Sequence, residues 1–278
     1  MKIIAEIANA HDGSLGTAHA FIDAAIAAAA DGVKFQCHYG DPVSEFRPGT
    51  YFPQDASRRD YWSRIAFTPK QWRELREHAN QVGLEFGVSC FSMDAFDQMN
   101  RVGVDFWKIG AAQTSDHQLI RAMAKTRKPL IISSGMSGWA ELDAAVEAAA
   151  LELAGPLTIL QCSSSYPTEP ENIGLNVMAQ IRQRYECQVG LSDHSGMIWP
   201  GILAAYQGAN LLEVHLCLSK FAFGPDVPAS LTPEDLAELV EASRWVSRMK
   251  PLDKNEYARR SEIEAMRTLF RREASASL

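Results

Sequence analysis

The chain has 278 residues, 46% hydrophobic and 22% charged, with a formal net charge of −7. That supports one sizeable core and argues against disorder; scattered basic residues on an acidic chain argue against nucleic-acid binding but leave room for a local cationic pocket holding a small anion. The opening MKIIAEIANAHDG has too short an apolar run for a signal peptide, AAIAAAADG is too short to span a bilayer, and Cys37, Cys90, Cys162, Cys187 and Cys217 form no CxxC or metal-finger spacing, so a cytoplasmic, membrane-free protein with reduced thiols is expected.

From the N-terminus, IIAEI is followed by a helical pattern through TAHAFIDAAIAAAADG. VKFQCH comes next, then a long connection, then a helix from PKQWRELREHANQVG. LEFGVSCF precedes AFDQMNRVG, DFWKIGA precedes HQLIRAMAKT, and PLIISSG precedes AELDAAVEAAALELAG. PLTILQCSSS leads to IGLNVMAQIRQRY, QVGLSDHS to PGILAAYQGA, and LLEVHLCL to LTPEDLAELVEASRWVSRM. These are eight strand-then-helix units, and the short, continuously apolar β-runs suit parallel strands covered on both faces. Thr68-Pro69-Lys70-Gln71 reads as a capping box with proline at the first helical position, and Thr232-Pro233 repeats that start. Glycines 32, 83, 103, 155 and 208 stand just before strands, where a helix C-cap needs positive φ. The count of eight predicts an α/β fold, a single-domain (β/α)8 TIM barrel over residues 1–250, with a helical tail over 251–278 that frays at its end. A doubly wound open sheet is the competitor, weakened because no GxGxxG follows the first strand.

The connection 39–67 is long for a loop without a task. It carries Arg47, Arg58, Arg59 and Arg64 among many aromatics, and reads either as solvated chain or as a lid that contacts an anion. In a barrel of this kind chemistry gathers at the C-terminal strand ends. Strand 1 ends near Glu6, with His11 and Asp12 following. The next strands bring Lys34, Gln36 and His38, then Ser89 and Cys90, then Lys108, then Ser133 and Ser134. The last three bring Ser163, Ser164, Ser165 and Tyr166, then Ser192, Asp193 and His194, then His215 with Asp226 beyond it. A lysine facing a barrel interior must find an anion or lose its charge. Lys34 and Lys108 are read as an internal salt bridge to Glu6 or Glu213, as a Schiff-base residue, or as a phosphate and carboxylate clamp; the strand-end serines favour the clamp and a small phosphorylated acid. His194 and His215 lie on adjacent strand ends, about 4.8 Å apart by strand spacing, and either hydrogen-bond locally or share one divalent cation. Imidazole with oxygen donors suits Mn or Zn better than Mg or Ca. Asp12 and Asp226 are acid/base or hydroxyl-binding candidates, or else residues that shape turns.

Read together, AEIANAHDGSL, VKFQ, KIGA, ISSGM, LQCSSSYPTEPENIGL, VGLSDHSG, LLEVHLCL, GPDVPASLTPEDL and ARRS resemble the catalytic barrel of the sialic acid synthase family, from residue 3 to about 262. The resemblance implies a transferase that condenses phosphoenolpyruvate with a sugar aldehyde to give a 3-deoxy-2-keto, nonulosonate-like acid and phosphate. It implies a divalent metal on His194 and His215, Mn2+ foremost with Mg2+, Co2+ or Zn2+ as substitutes. It assigns phosphoenolpyruvate contacts to Lys34, Ser89, Lys108, Ser133, Ser134, Ser164 and Ser192, proton transfer to Asp12, and acceptor contacts to Gln36, Tyr166 and Asp226; a homodimer is a further expectation. Ala10, Ala111, Gln113, Val214 and Val227 stand where the family carries more polar or charged side chains. Family members usually continue past ARRS into an antifreeze-like domain that supplies an arginine to the acceptor, and this chain is expected to lack it, which leaves the acceptor open. A metal-dependent aldolase or isomerase, or a degenerate barrel that only binds, are the alternatives.

Overall fold

The computed structural model describes residues 1–40, 55, 57–152, 155–249 and 252–270. Its parallel strands are β1 (Lys2–Ala8), β2 (Gly32–Cys37), β3 (Glu85–Cys90), β4 (Phe106–Ile109), β5 (Leu130–Ser133), β6 (Leu157–Cys162), β7 (Gln188–Asp193) and β8 (Leu211–Leu216). Each pairs with the next, and β8 pairs back onto β1 from Lys2↔Leu211 to Glu6↔His215, so the sheet closes into the expected (β/α)8 barrel. A two-residue strand, β9 (Ser230–Leu231), extends the sheet beside the end of β8. The helices are α1 (Leu15–Ala27), α2 (Arg58–Ile65), α3 (Pro69–Gln81), α4 (Met93–Val102), α5 (His117–Lys125), α6 (Trp139–Ala150), α7 (Leu175–Tyr185), α8 (Trp199–Tyr206), α9 (Pro233–Val246), α10 (Lys254–Ala258) and α11 (Ser261–Phe270). Among the described residues no helix is long and apolar enough to cross a membrane.

Local signals hold at the starts of helices. Thr68 accepts from the Gln71 amide while Gln71 returns a bond to the Thr68 amide, and Thr232 and Asp235 repeat the arrangement before α9. Gly83, Gly103 and Gly208 take the expected positive φ. Gly32 and Gly155 do not: a Cβ would lie 3.0 Å from the Glu85 carbonyl oxygen at the first and 2.7 Å from the Arg127 carbonyl oxygen at the second, so close approach of backbones is what glycine permits there. The tail forms two short helices rather than one, α11 buries none of its residues, and the expected fray over 271–278 lies outside the described residues.

Strand alternation sorts side chains into two cores. Ile3, Ala5, Ile7, Val33, Phe35, Val88 and Trp107 point outward and pack under the helices. Ile4, Phe106, Ile131, Leu160 and Leu211 point inward and form a separate apolar floor inside the barrel. Two residues further along the same five strands, and so one tier higher on the same face, come Glu6, Lys108, Ser133, Cys162 and Glu213. The floor closes one end of the barrel and makes everything above it a blind cup.

Gly87 on β3 gives the Phe106 ring its place in that floor, since a Cβ there would stand 2.0 Å from a ring carbon. Gly87→Ala is expected to destabilise the protein by about 1–3 kcal/mol through overpacking. Denaturant unfolding checks this, and an unchanged midpoint would mean that the ring yields freely.

Candidate active site

The tier above the apolar floor is ionic. Lys34 and Lys108 are buried, as are Glu6 and Glu213. The Lys34 ammonium forms an ion pair with Glu6, which it faces in the β1–β2 register, lies 3.9 Å from Glu213, and donates to Ser89 Oγ at 2.9 Å. Lys108 Nζ lies 3.2 Å from Glu213 Oε1, and Ser192 Oγ donates to the same oxygen at 2.9 Å. Because β4 and β8 sit on opposite walls of an eight-strand barrel, the Lys108–Glu213 pair spans the lumen. The two lysines are therefore paired internally, as the salt-bridge reading of them expected, with Ser89 adding a bond to Lys34. An isolated buried cation is too costly to stand uncompensated, and each lysine has a carboxylate within reach.

This compensation is uneven. Burial raises the Glu6 carboxyl up to about 7, against the opposing pull of Lys34. Burial also works to raise Glu213, but Lys108 and Lys34 outweigh it and hold its carboxyl below the usual range. Burial works to lower the Lys34 ammonium, and Glu6 and Glu213 reverse that and raise it. Near neutrality Glu213 is thus ionised while Glu6 is divided between its two forms, and each proton Glu6 takes leaves the cup with net positive charge. Ser133 Oγ, on a residue 1% exposed, has no hydrogen-bond partner among the described residues, and a buried orphan hydroxyl at the wall of a cup is a cue for a bound polar group.

The imidazoles form the next tier. The ring centroids of His194 and His215 are 5.3 Å apart. His194 Nδ1 is 2.9 Å from the Ser163 carbonyl oxygen, so Nδ1–H donates there and Nε2 keeps its lone pair, which accepts from the Tyr166 hydroxyl at 2.9 Å. Burial, with His215 nearby, lowers the His194 pKa to about 3; burial, with Lys34 nearby, does the same for His215. Both rings are neutral near pH 7, the form that ligates a cation, and the Ser163 carbonyl orients one of them as outer-shell partners of metal-bound histidines do. Among the described residues no group of three or more His, Cys, Asp or Glu is arranged to hold a metal. A cation at this pair would therefore draw its remaining donors from water and substrate oxygens. The donor set fits such an ion.

A cavity of about 320 Å³ takes in Lys34, Gln36, Ser89, Lys108, Ser133, Ser164, Tyr166, Ser192, His194 and His215, along with Glu6, Glu213 and Ala111. An adjoining cavity of about 260 Å³ shares Gln36, Tyr166 and His215 and adds Asp12 and Asp226. Asp226 Oδ2 lies 3.9 Å from His215 Nδ1, and burial raises its carboxyl. Asp12 is half exposed and engaged by Arg64 Nη1 at 2.8 Å; Arg64 also grips Asp55. Ser134 stands apart: next in sequence to Ser133, it faces a different groove, between α6 and α7, with its hydroxyl 3.4 Å from Gln161 Oε1.

Sequence reading named Glu6 and Glu213 only as partners for the lysines, although a glutamate inside IIAEIA and another inside LLEVHL are the same signal as the lysines themselves. It also passed over the stack in which His38 lies between Trp62, 3.6 Å away with the rings nearly parallel, and Phe91 at 4.0 Å. That stack fixes α2 over the strand ends. Of the four arginines singled out in the long connection, Arg64 reaches the site, Arg59 is exposed, and Arg47 and the Arg58 side chain lie outside the described residues.

The family model described as the NeuB family matches residues 21–255. Human N-acetylneuraminate-9-phosphate synthase is 32% identical over 264 residues, covering 88% of this chain and 70% of that protein. The N,N'-diacetyllegionaminic acid synthase of Legionella pneumophila is 29% identical over 253 residues, covering 87% and 71%. Among solved structures, the N-acetylneuraminic acid synthetase of Leptospira borgpetersenii in complex with citrate superposes with a TM-score of 0.79 at 25% identity, over 97% of this chain and 92% of that one.

The uneven pairing has a measurable consequence. Sulfate keeps its charge across neutral pH, so its affinity reports the cup. It is expected to weaken as pH rises from about 6 to 8, because Glu6 ionises and cancels a positive charge. In Glu6→Gln the affinity is expected to stay level across that window. Calorimetric titration at three pH values decides, and a slope unchanged by the substitution would detach Glu6 from anion binding.

Proposed function

The chain belongs to the NeuB family, and from that premise we propose that it condenses phosphoenolpyruvate with the open-chain aldehyde of an amino sugar. The named relatives are acid synthases, and the chain is an enzyme of that condensing class. In the proposed reaction C3 of phosphoenolpyruvate forms a bond to the aldehyde carbon, whose oxygen takes a proton. Water adds at C2, losing a proton. The resulting C2 adduct then collapses with cleavage of the C–O bond to phosphate, leaving a 3-deoxy-2-keto acid lengthened by three carbons.

The observation that carries this reading is the cup of two lysines and two glutamates directly beneath two neutral imidazoles within one cavity. Lys34 and Lys108 would receive the carboxylate and phosphate of the enol phosphate, with Ser133, Ser89 and Ser192 offering hydroxyls. Donors fixed in a dry site stabilise charge without reorganising as it develops. Glu6, poised near neutrality, would take up a proton as the anion enters and release one as it leaves, which keeps the buried charge in balance. A divalent cation held by His194 and His215 would act as a Lewis acid on the aldehyde oxygen. Gln36 and Tyr166, shared by both cavities, would flank the aldehyde where it meets the enol phosphate. The internal ion pairs are what a binding-only barrel would also show; the raised Glu6 carboxyl and the orphan Ser133 hydroxyl favour an exchangeable anion instead.

Mixing the protein with Mn2+, phosphoenolpyruvate and a panel of N-acylated aldoses is expected to release phosphate only when both substrates are present. A sugar consumed without phosphoenolpyruvate would point to an aldolase, and retained metal without turnover on the panel to a binding protein. Lys108→Met is expected to lower kcat/KM by about 10²-fold or more. His215→Ala is expected to lose bound metal while its melting curve stays close to the parent's, and full metal occupancy in that variant would remove the assignment.

A further inference from the structure

We propose that His19 and His78 form a second transition-metal site, on the helix layer outside the barrel, in which one divalent ion of the Zn2+, Ni2+ or Cu2+ class pins α1 to α3. The two imidazoles meet across the helix pair, with Nδ1 of His19 2.6 Å from Nδ1 of His78 and the ring centroids 4.8 Å apart. Each ring gives its other nitrogen to a carboxylate of the opposite helix: His19 Nε2 lies 3.1 Å from Glu74 Oε1, and His78 Nε2 lies 2.9 Å from Asp23 Oδ1. The exchange is reciprocal because Asp23 stands one turn beyond His19 on α1 and Glu74 one turn before His78 on α3. Neither histidine lines the two cavities of the candidate active site, and the inference is independent of the synthase reading.

A carboxylate only accepts, so each Nε2 carries the hydrogen of its bond and each Nδ1 turns a lone pair on the other. Two lone pairs at 2.6 Å repel unless a cation lies between them. The carboxylates favour a metal ion in that place. A carboxylate on the far nitrogen is the outer-shell partner that fixes the tautomer and raises the basicity of a metal-bound imidazole, and here both rings have one. These carboxylates also leave charge to be balanced. Among the described residues no lysine or arginine pairs with Asp23 or Glu74, so a shared proton leaves the four side chains with net negative charge, whereas a divalent ion neutralises them. Metal–nitrogen bonds of about 2.0–2.1 Å at a tetrahedral angle put the two nitrogens about 3.3 Å apart, so the rings part by about 0.7 Å on loading. The His19 and His78 side chains are 26% and 22% exposed, which leaves room for that tilt and for water in the remaining positions. A pair of imidazoles suits Zn2+, Ni2+ and Cu2+ over Mg2+ or Ca2+.

Calorimetric titration of Zn2+ into the full chain carrying His215→Ala, which breaks the imidazole pair inside the barrel, tests this. About one ion bound per chain and a higher melting temperature with Zn2+ are expected, and adding His19→Gln or His78→Gln is expected to remove both. Asp23→Asn on the same background is expected to weaken Zn2+ about tenfold or more. Cu2+ on the His215→Ala chain is expected to show coupling to two imidazole nitrogens by electron paramagnetic resonance, a signature that either glutamine variant abolishes. Zn2+ uptake unchanged by both glutamine substitutions places the ion elsewhere and overturns the site. No uptake by the His215→Ala chain makes a shared proton the occupant and overturns it equally. A metal-free melting curve close to that of the His215→Ala chain separates lost binding from lost folding. Should the glutamine variants melt early, Asp23→Asn, at a side chain 64% exposed, decides alone, and an unchanged Zn2+ affinity there overturns the proposal.

Discussion

Two lysines and two glutamates share the interior of the barrel, and each of the four would be intolerable without the others. Moving a charge into a closed, apolar-floored cup costs several kcal/mol even after relaxation, and mutual attraction offsets that cost only when partners are close and hydrogen-bonded. Glu6 meets Lys34 across neighbouring strands, while Glu213 meets Lys108 across the full width of the lumen and takes a further bond from Ser192. The closed sheet makes the second pair possible, since β4 and β8 are four strands apart along the sheet and face each other only once β8 has joined β1. The ionic tier and the closure of the barrel are thus one requirement seen from two sides.

Electrostatics above the floor follow from that tier. Desolvation, with the lysines adding to it, holds His215 neutral, and desolvation with His215 beside it does the same for His194. Neutral rings and two buried lysines thus share one cavity. Glu6 stands among them, its carboxyl lifted by burial towards neutrality, so that the cup adjusts its own charge by a single proton. Low local polarity strengthens each of these interactions relative to water.

Two loops complete the cleft. The connection after β2 contributes α2, fixed by the Trp62–His38–Phe91 stack and by Arg64 bridging Asp12 and Asp55. The loop after β8 brings Asp226, Val227 and Phe223 against it. The strands therefore hold the ionic tier and the two imidazoles, and the loops shape the adjoining cavity.

Eight apolar runs, each followed by a helical period, determined the barrel, because parallel strands covered on both faces have that signature and few others. The C-terminal strand ends likewise gathered Lys34, Lys108, Ser133, Ser192 and His215, and the order of motifs identified the family. What sequence spacing left open were distances through space. Ser133 and Ser134 are neighbours in the chain, yet they face different cavities, because adjacent strand residues point to opposite sides. Glu6 and Glu213 looked like possible partners for either lysine, and only the register of β1 on β2 and the width of the closed barrel decided which met which. Arg64, Trp62 and His38 come from a connection with no periodic pattern, so their meeting over the strand ends could be fixed only by folding. The chain alone thus determined which residues gather at the strand ends, a property of their place in each strand–helix unit; closure of the sheet decided which of those groups touch, and through contact and burial which of them carry charge.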